Sequence, residues 1–409
     1  MSNHRPATRI TSLPPELMHQ VFAELPNSQI DGRRCHDLRA AALVCRTWGH
    51  AASARIWTHV VLRTFDTLQK FTYCTRISHA QRASFVRVLE LRFGAWIRFP
   101  GSGLEELAPC LRGLREFVAA DWITPKDHRG FGPRVSTIAA FLCSCPDLVV
   151  LSIPTPQTRH GGEDWVGTMG GEEKPLDLDA MRFLTLLLES VRAPLVELSL
   201  RYMRWSLEPR IDAASLRNLD TLEILDTASS SFADILNELR PPLRRLVAHC
   251  DMFPAQSRTL SVLRSLPSIT HLELTSEHAF PNSTLALLEQ HTPLTFLGIH
   301  YRNRSPRKPP PEGSFTSQDL QRFLRVRGSN LKVLDLCYSV PIDDQLLACI
   351  ALSCPRLECL GIQSYWAHRG KPHLLPFKKV AVIANLKRGC PNLRHVDVGV
   401  AVWVYAESA

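Results

Sequence analysis

No stretch of the 409 residues approaches the run of about 20 apolar residues that a membrane-spanning helix needs, so no such helix is expected. The opening Met1-Ser2-Asn3-His4-Arg5-Pro6 lacks the apolar core of a secretory signal. The twelve cysteines are then expected to be reduced thiols of a cytoplasmic or nuclear protein, not a disulfide framework. On that reading the sequons at Asn282 and Asn303 have no use. Metal-ligand spacing is missing too. Cys143-x-Cys145 and Cys349/Cys354/Cys359 lack paired C-x2-C steps, and Cys354 and Cys390, each before a proline, read as small buried thiols. There is no nucleophile elbow, H-E-x-x-H, Walker sequence or dinucleotide fingerprint, so neither enzyme chemistry nor a cofactor or metal is expected. The net charge of +9 suits nucleic acid, but it also suits solvated helix faces and loops, which is the reading adopted.

What the chain has in quantity is one phrase. An aliphatic residue, two variable positions, a second aliphatic, one variable position and a third aliphatic recur throughout. Clear copies are Leu148/Leu151/Ile153, Leu195/Leu198/Leu200, Leu219/Leu222/Ile224 and Ile269/Leu272/Leu274. Others are Leu294/Leu297/Ile299, Leu331/Leu334/Leu336, Leu357/Leu360/Ile362 and Leu393/Val396/Val398. Weaker ones are Val86/Leu89/Leu91, Leu114/Phe117/Ala119 and Leu243/Leu246/Ala248. Starts at 195, 219, 243, 269 and 294 are 24, 24, 26 and 25 residues apart, the period of leucine-rich repeats. Seven of the eleven starts follow a proline by one or two residues: Pro146, Pro194, Pro242, Pro267, Pro293, Pro355 and Pro391. Proline cannot continue a helix and turns the chain toward extended geometry, so it punctuates a helix-to-strand passage.

Amphipathic segments precede several phrases, at Ile138–Leu142, Met181–Val191, Leu285–Gln290, Leu320–Arg325 and Leu346–Leu352. Alternation of strand and helix predicts an α/β solenoid, a horseshoe with a parallel sheet on one side and helices on the other, over residues 58–409. Trp57/Val60/Leu62 reads as its first strand. Insertions near 155–175, 302–314 and 365–376 interrupt it. The first is Gly-rich but places Thr168 and Met169 where a phosphate-binding loop needs Lys and Ser/Thr, and the second holds Pro306 and Pro309 at PxxP spacing; both read as surface loops. The alternating Val396, Val398, Val400, Val402 and Val404 read as a closing strand, with a tail folded back onto the concave surface as the alternative.

The first sixty residues differ. After a disordered start over 1–8, Leu13-Pro14-Pro15-Glu16 opens a helix, with Leu17, Met18, Val21, Phe22 and Leu25 on one face. Leu38, Ala41, Ala42, Cys45, Trp48, Ala52 and Ile56 form a second apolar stripe. Leu13-Pro14-Pro15-Glu16-Leu17, then Phe22 and Leu25-Pro26, then Leu43-Val44-Cys45-Arg46-Thr47-Trp48 resembles an F-box, over residues 9–57. The segment Asn27–Asp37 is longer and more polar than that family's usual link. The whole chain resembles the F-box proteins with leucine-rich repeats found in fungi, which implies a substrate receptor of an Skp–cullin–F-box ubiquitin ligase. The resemblance places Leu13, Pro14, Leu17, Val21, Leu25, Leu43, Val44 and Trp48 on the surface for the Skp-type adaptor of a cullin complex. For these residues a place in the small domain's own core is the competing reading.

Side chains alternate along a strand, so the third, fifth and seventh positions of each phrase should face the concave side. The candidate residues for a protein target there are Arg92, Arg201, Glu223, Arg245, His249, His271, Glu273, His300, Asp335, His395 and Asp397. His249, His271 and His300 could approach one another on neighbouring strands, but they read as recognition residues. The mixed surface lacks the basic, aromatic-studded groove of a nucleic-acid binder, so a protein is the expected target. A leucine-rich scaffold with no ubiquitin role is the alternative, and a nucleic-acid-associated solenoid is a more distant third.

Overall fold

The computed structural model describes residues 14, 17, 18, 20, 21, 36–78, 80–92, 102–120, 135–154, 191, 194–201, 213–225, 236–249, 256–276, 280–290, 293–301, 315–337, 343–363, 380–397 and 402–404. The expected disordered start, all three insertions and most of the helix read at Met181–Val191 lie outside them. The chain divides into two compact units, residues 1–174 with 182–195, and residues 175–181 with 196–409.

The first unit begins with helical residues near 17–21, then α1 (His36–Ala42) and α2 (Arg46–Thr58). The second apolar stripe is therefore not one helix. A turn at Leu43–Val44 and an extended Cys45 divide it, so that Leu38 and Ala41 pack with Met18, Ala51 and Ala52 in one small core. A stripe on a single helix could not bury itself. Small residues let the backbones close in: a Cβ on Gly49 would stand 3.0 Å from the Ala42 carbonyl oxygen. Helix α2 runs without a linker into β1 (His59–Leu62). Trp57, read above as strand, occupies the last turn of α2, where its ring stacks 5.7 Å from Phe71 of α3 (Phe65–Tyr73). The unit continues through β2 (Val88–Arg92), β3 (Glu116–Ala120), α4 (Val135–Cys143) and β4 (Val150–Pro154). Strands β1 to β4 pair in sequence order, all parallel.

The second unit repeats the scheme. It comprises β5 (Glu197–Arg201), β6 (Thr221–Leu225), β7 (Arg245–His249), α5 (Gln256–Ser265), β8 (His271–Ser276), α6 (Asn282–Leu288) and β9 (Phe296–Tyr301). It ends with α7 (Ser317–Arg327), β10 (Val333–Cys337), α8 (Asp344–Ser353), β11 (Cys359–Gln363), α9 (Val380–Gly389), β12 (His395–Asp397) and β13 (Val402–Val404). Strands β5 to β12 are parallel neighbours in chain order. The valine tail is not one closing strand. It splits into β12 and β13, which pair antiparallel with Val396 opposite Trp403, so a hairpin covers the edge of β12. This ordered alternation of parallel strand and helix, one phrase per step, is leucine-rich-repeat architecture.

In the eleven copies from Val86 onward every described aliphatic is at most 6% exposed. The register places like on like, as in Leu222, Leu246, Leu272, Leu297, Leu334 and Leu360 across six consecutive strands. The prolines behave as punctuation. In Cys145-Pro146-Asp147-Leu148, Cys354-Pro355-Arg356-Leu357 and Cys390-Pro391-Asn392-Leu393 the leucine N–H donates to the cysteine carbonyl at 3.3, 3.1 and 3.0 Å. Each is a turn with proline at its second position, where a fixed φ suits it. Helices start on ordinary caps: Thr316 and Asp319 form a reciprocal box before α7, and Asp343 accepts from the Leu346 N–H at 2.7 Å before α8.

Neighbouring repeats touch most closely at helix ends. A Cβ on Gly389 would lie 2.0 Å from the Ala351 carbonyl oxygen, a backbone atom that cannot step aside alone. In an open helix Gly→Ala gains about 1 kcal/mol. Here Gly389→Ala should reverse that sign and destabilise by roughly 1–3 kcal/mol, read as a lower urea midpoint at unchanged slope. The thiols of the same turns are equally enclosed. Burial raises Cys145 and Cys390 to a pKa of about 11 and Cys354 higher still. All three should stay unlabelled by an alkylating reagent at pH 8 in the folded chain and react in urea, as counted by mass spectrometry.

Candidate functional site

Two surfaces carry the candidate residues. On the helical head, the Met18 N–H donates to the Pro14 carbonyl at 3.1 Å, so the Leu-Pro-Pro-Glu segment does open a helical turn. One residue is a rotation of about 100°, and it separates inside from outside here. Met18 is 2% exposed, whereas Leu17 is 45% and Val21, one turn on, is 52%. The single apolar face expected for Leu17, Met18 and Val21 is thus divided: Met18 supplies the core and the other two face solvent. Leu43 and Val44 stand in the turn between α1 and α2 at 86% and 58%. Pro14 is exposed as well. Trp48, half-buried, packs on the Met18–Leu38–Ala52 core. Leu13 and Leu25 lie outside the described residues.

The second surface is the strand face formed by the third, fifth and seventh positions. In the first unit Glu90 of β2 draws in both its neighbours, with Arg92 Nε at 2.5 Å and His59 Nε2 at 3.5 Å. In the second unit the fifth positions align as Glu223, Val247, Glu273, Gly298, Asp335, Gly361 and Asp397 on β6 to β12. His300, at the seventh position of β9, spans two of them: its Nε2 lies 3.2 Å from Asp335 and its Nδ1 3.8 Å from Glu273. The two glycines make this possible. A Cβ on Gly298 would meet Glu273 Cγ at 3.0 Å, and one on Gly361 would fall closer than contact to the Asp335 carboxylate. Each carboxylate leans over the glycine of the following strand, Glu273 over Gly298 on β9 and Asp335 over Gly361 on β11. Nothing in the repeat phrase announces this, because the glycines occupy positions that the phrase leaves variable.

The third-position column is more enclosed. His271 lies flat on the Phe296 ring, centroids 3.8 Å apart and planes within 14°. Burial, and then the Arg245 guanidinium on the adjacent strand, lower its pKa to about 4. It is a neutral stacking ring at neutral pH. His395 is half-buried on β12, opposite Cys359. Ser199 and Val247, at fifth positions, are 3% and 5% exposed, so part of the face expected to be open is shut off from solvent. The register sets the three apart along the strands: His271 is at a third position, while His249 and His300 both stand opposite Thr275, on either side of β8. Among the described residues no group of three His, Cys, Asp or Glu side chains is placed to hold a metal ion. Arg201 and His249 occupy the last positions of their strands, but their side chains lie outside the described part.

The helical head with its outward leucines and valines matches a known family. The model of the F-box-like family fits residues 10–63, from before the first turn through the end of β1. Residues 10–63 form an F-box-like domain. No curated protein sequence matches the chain. Among solved structures, a chain of the Rad7 and Elc1 complex in yeast is similar at a TM-score of 0.51 with 14% identity, covering 94% of this chain and 88% of its own. That likeness concerns the fold, over nearly the full length. The leucine-rich repeat-containing protein LegL7 from Legionella pneumophila aligns over 83% of this chain and 94% of its own, with 10% identity and a TM-score of 0.39. The chain is therefore an F-box-like domain followed by leucine-rich-repeat units.

The His271 shift fixes a sign for pH dependence. Its folded pKa of about 4 lies below the ordinary 6.5, so between those values the unfolded chain binds the extra proton. The stability this neutral ring contributes is complete above pH 6.5 and is lost as pH falls toward 4. Urea midpoints should drop across that window, and His271→Gln should flatten the drop.

Proposed function

We propose that this chain is the substrate-recognition subunit of an Skp–cullin–F-box ubiquitin ligase. The single observation that carries the reading is the division of labour on the head. Met18, Leu38, Ala51 and Ala52 fill the core, while Leu17, Val21, Leu43 and Val44 are left facing water. Four large apolar side chains outside the core of so small a domain suit a partner surface better than a free one. The F-box-like match over 10–63 supports an Skp-type adaptor as that partner. That the similar Rad7 structure holds a second protein, Elc1, agrees with a fold of this kind working in a complex.

The repeat units then hold the target. Their strand face offers paired carboxylates and imidazoles, Glu273–His300–Asp335 and His59–Glu90–Arg92, with neutral stacked rings between charged rows in the second unit. Such a mixed face suits a folded protein or peptide with its own charge pattern. The chemistry is supplied elsewhere in the complex. This chain contributes proximity: holding a target lysine near the transfer enzyme replaces an encounter in solution with an effective concentration set by the tether. On this reading no side chain of this protein need take part in bond making. The reduced thiols fit a cytoplasmic or nuclear site of action.

Pulldown of a Skp-type adaptor by the full chain tests the reading. Leu43→Glu with Val44→Glu should reduce adaptor retention at least tenfold, because a charge placed in a desolvated apolar contact is poorly tolerated. The melting temperature should hold, since both residues already face solvent. Wild-type protein that retains no adaptor would leave the chain a leucine-rich scaffold without a ubiquitin role.

A further inference from the structure

In the second unit, on the side of the repeats away from the phrase strands, the chain forms a cleft of about 490 Å³ between residues 237–242 and the end of α5. Two of the punctuating turns make its walls, with Pro242 and Pro267. Over them stand two arginines, Arg240 and Arg264, together with the exposed hydroxyls of Ser261 and Ser268. No carboxylate among the described residues lines the cleft. Among the described residues neither guanidinium has an ion pair or a side-chain hydrogen bond. Elsewhere in the fold exposed arginines are commonly engaged, as Arg76 is by Glu106 and Arg322 by Glu289.

Arg240 is also held in a disfavoured backbone state. Its φ is +44°, the one positive value outside glycine among the described residues. It follows the helical turn 236–239, and its N–H donates to the Leu236 carbonyl at 3.0 Å, the usual closure of a helix by a left-handed residue. Glycine closes a helix this way without strain, so the cap itself gives no reason for arginine. The side chain is what the strained position supplies, and it hangs over the cleft. Strain of this kind gathers where a residue is used.

We propose that this cleft binds a phosphate monoester. Two guanidinium forks and two hydroxyls offer more donors than a carboxylate can accept, and they match the three terminal oxygens and double charge of a phosphate group. The negative end of α5 opposes an anion with about half a charge, against two full positive charges from the arginines, so the cleft stays electropositive. Its volume exceeds that of one phosphate, leaving room for the group that carries it. The site is remote in kind from the adaptor surface and does not rest on that reading.

Calorimetric titration of the full chain with O-phosphoserine, inorganic phosphate and serine at fixed ionic strength is the test. The phosphate compounds should bind and serine should not. Arg240→Gln and Arg264→Gln should each weaken binding about tenfold, and the double variant should abolish it. Arg240→Gly should raise the melting temperature by relieving the backbone and still weaken binding, which a merely misfolded variant could not do. Tighter binding of O-phosphoserine than of inorganic phosphate points to a phosphorylated side chain as the source; equal binding points to a free phosphate. Absence of binding by both, or arginine variants that bind as wild type does, overturns the proposal.

Discussion

One backbone carbonyl per repeat sets the geometry of the stack. The residue at the second position of each phrase accepts two N–H groups from the next repeat, those of its second and third positions. Arg87 accepts from Arg115 and Glu116; Arg244 from Thr270 and His271; Thr270 from Thr295 and Phe296; Thr295 from Lys332 and Val333; Lys332 from Glu358 and Cys359; Glu358 from Arg394 and His395. The distances run from 2.7 to 3.2 Å. A carbonyl with two lone pairs can serve two donors, and here both stand at the entry to a strand. A shift of one residue would break the pair of bonds and turn every aliphatic of the phrase to the opposite face. Register is therefore fixed at the start of each strand, before any side chain of the strand itself is counted.

From that anchor the rest follows by reach. The turn that precedes the carbonyl must be short and must end a helix, which is why proline or a small buried residue recurs there. Three residues before the first aliphatic stand Ala83, Leu111, Cys145, Leu216, Leu266, Gly328, Cys354 and Cys390, all buried, while Arg240 at the same place is exposed. Cysteine suits it twice over, being small and able to donate weakly to a helix carbonyl, as Cys145 does to Phe141 at 3.3 Å and Cys390 to Ile350 at 3.8 Å. Where the helices come closest only glycine remains, at Gly328 and Gly389. The helix side of the fold is thus a record of how near consecutive turns must lie once the strands are in register.

The strand phrase could be read from the sequence because aliphatic spacing and burial are the same fact seen twice. A residue that must be dry in every repeat returns in every repeat. The features that escaped depend on contacts between segments. Met18 and Leu17 are both apolar neighbours in a helix, and only the arrival of α1 and α2 decides which is inside. Trp57 has strand-like company in sequence, but the ring of Phe71 holds it in the last turn of α2. The valine run alternates as a strand should, yet alternation says nothing about where the chain reverses, and it reverses between Asp397 and Val402. The cleft at Arg240 was hidden for the same reason: a left-handed arginine before a proline carries no periodic signal.

The fold spends its regularity on the buried positions and leaves the variable ones free, and the variable positions are where the candidate functions sit. On the strand face, glycine at Gly298 and Gly361 leaves room beside Glu273 and Asp335, the two carboxylates that flank His300. On the head, the turn at Leu43–Val44 lifts two apolar residues clear of a core that is already full. At the helix ends, a strained arginine replaces the glycine that the cap alone would prefer. Each is a place where local preference is overruled although the stack gains nothing from it. A repeat that needs only its carbonyl anchor and its aliphatics can tolerate such departures one at a time, because each repeat is held by its neighbours and not by its own surface. That tolerance lets one scaffold present an apolar knob, a charged strand face and a basic cleft without any of them compromising the stacking that supports it.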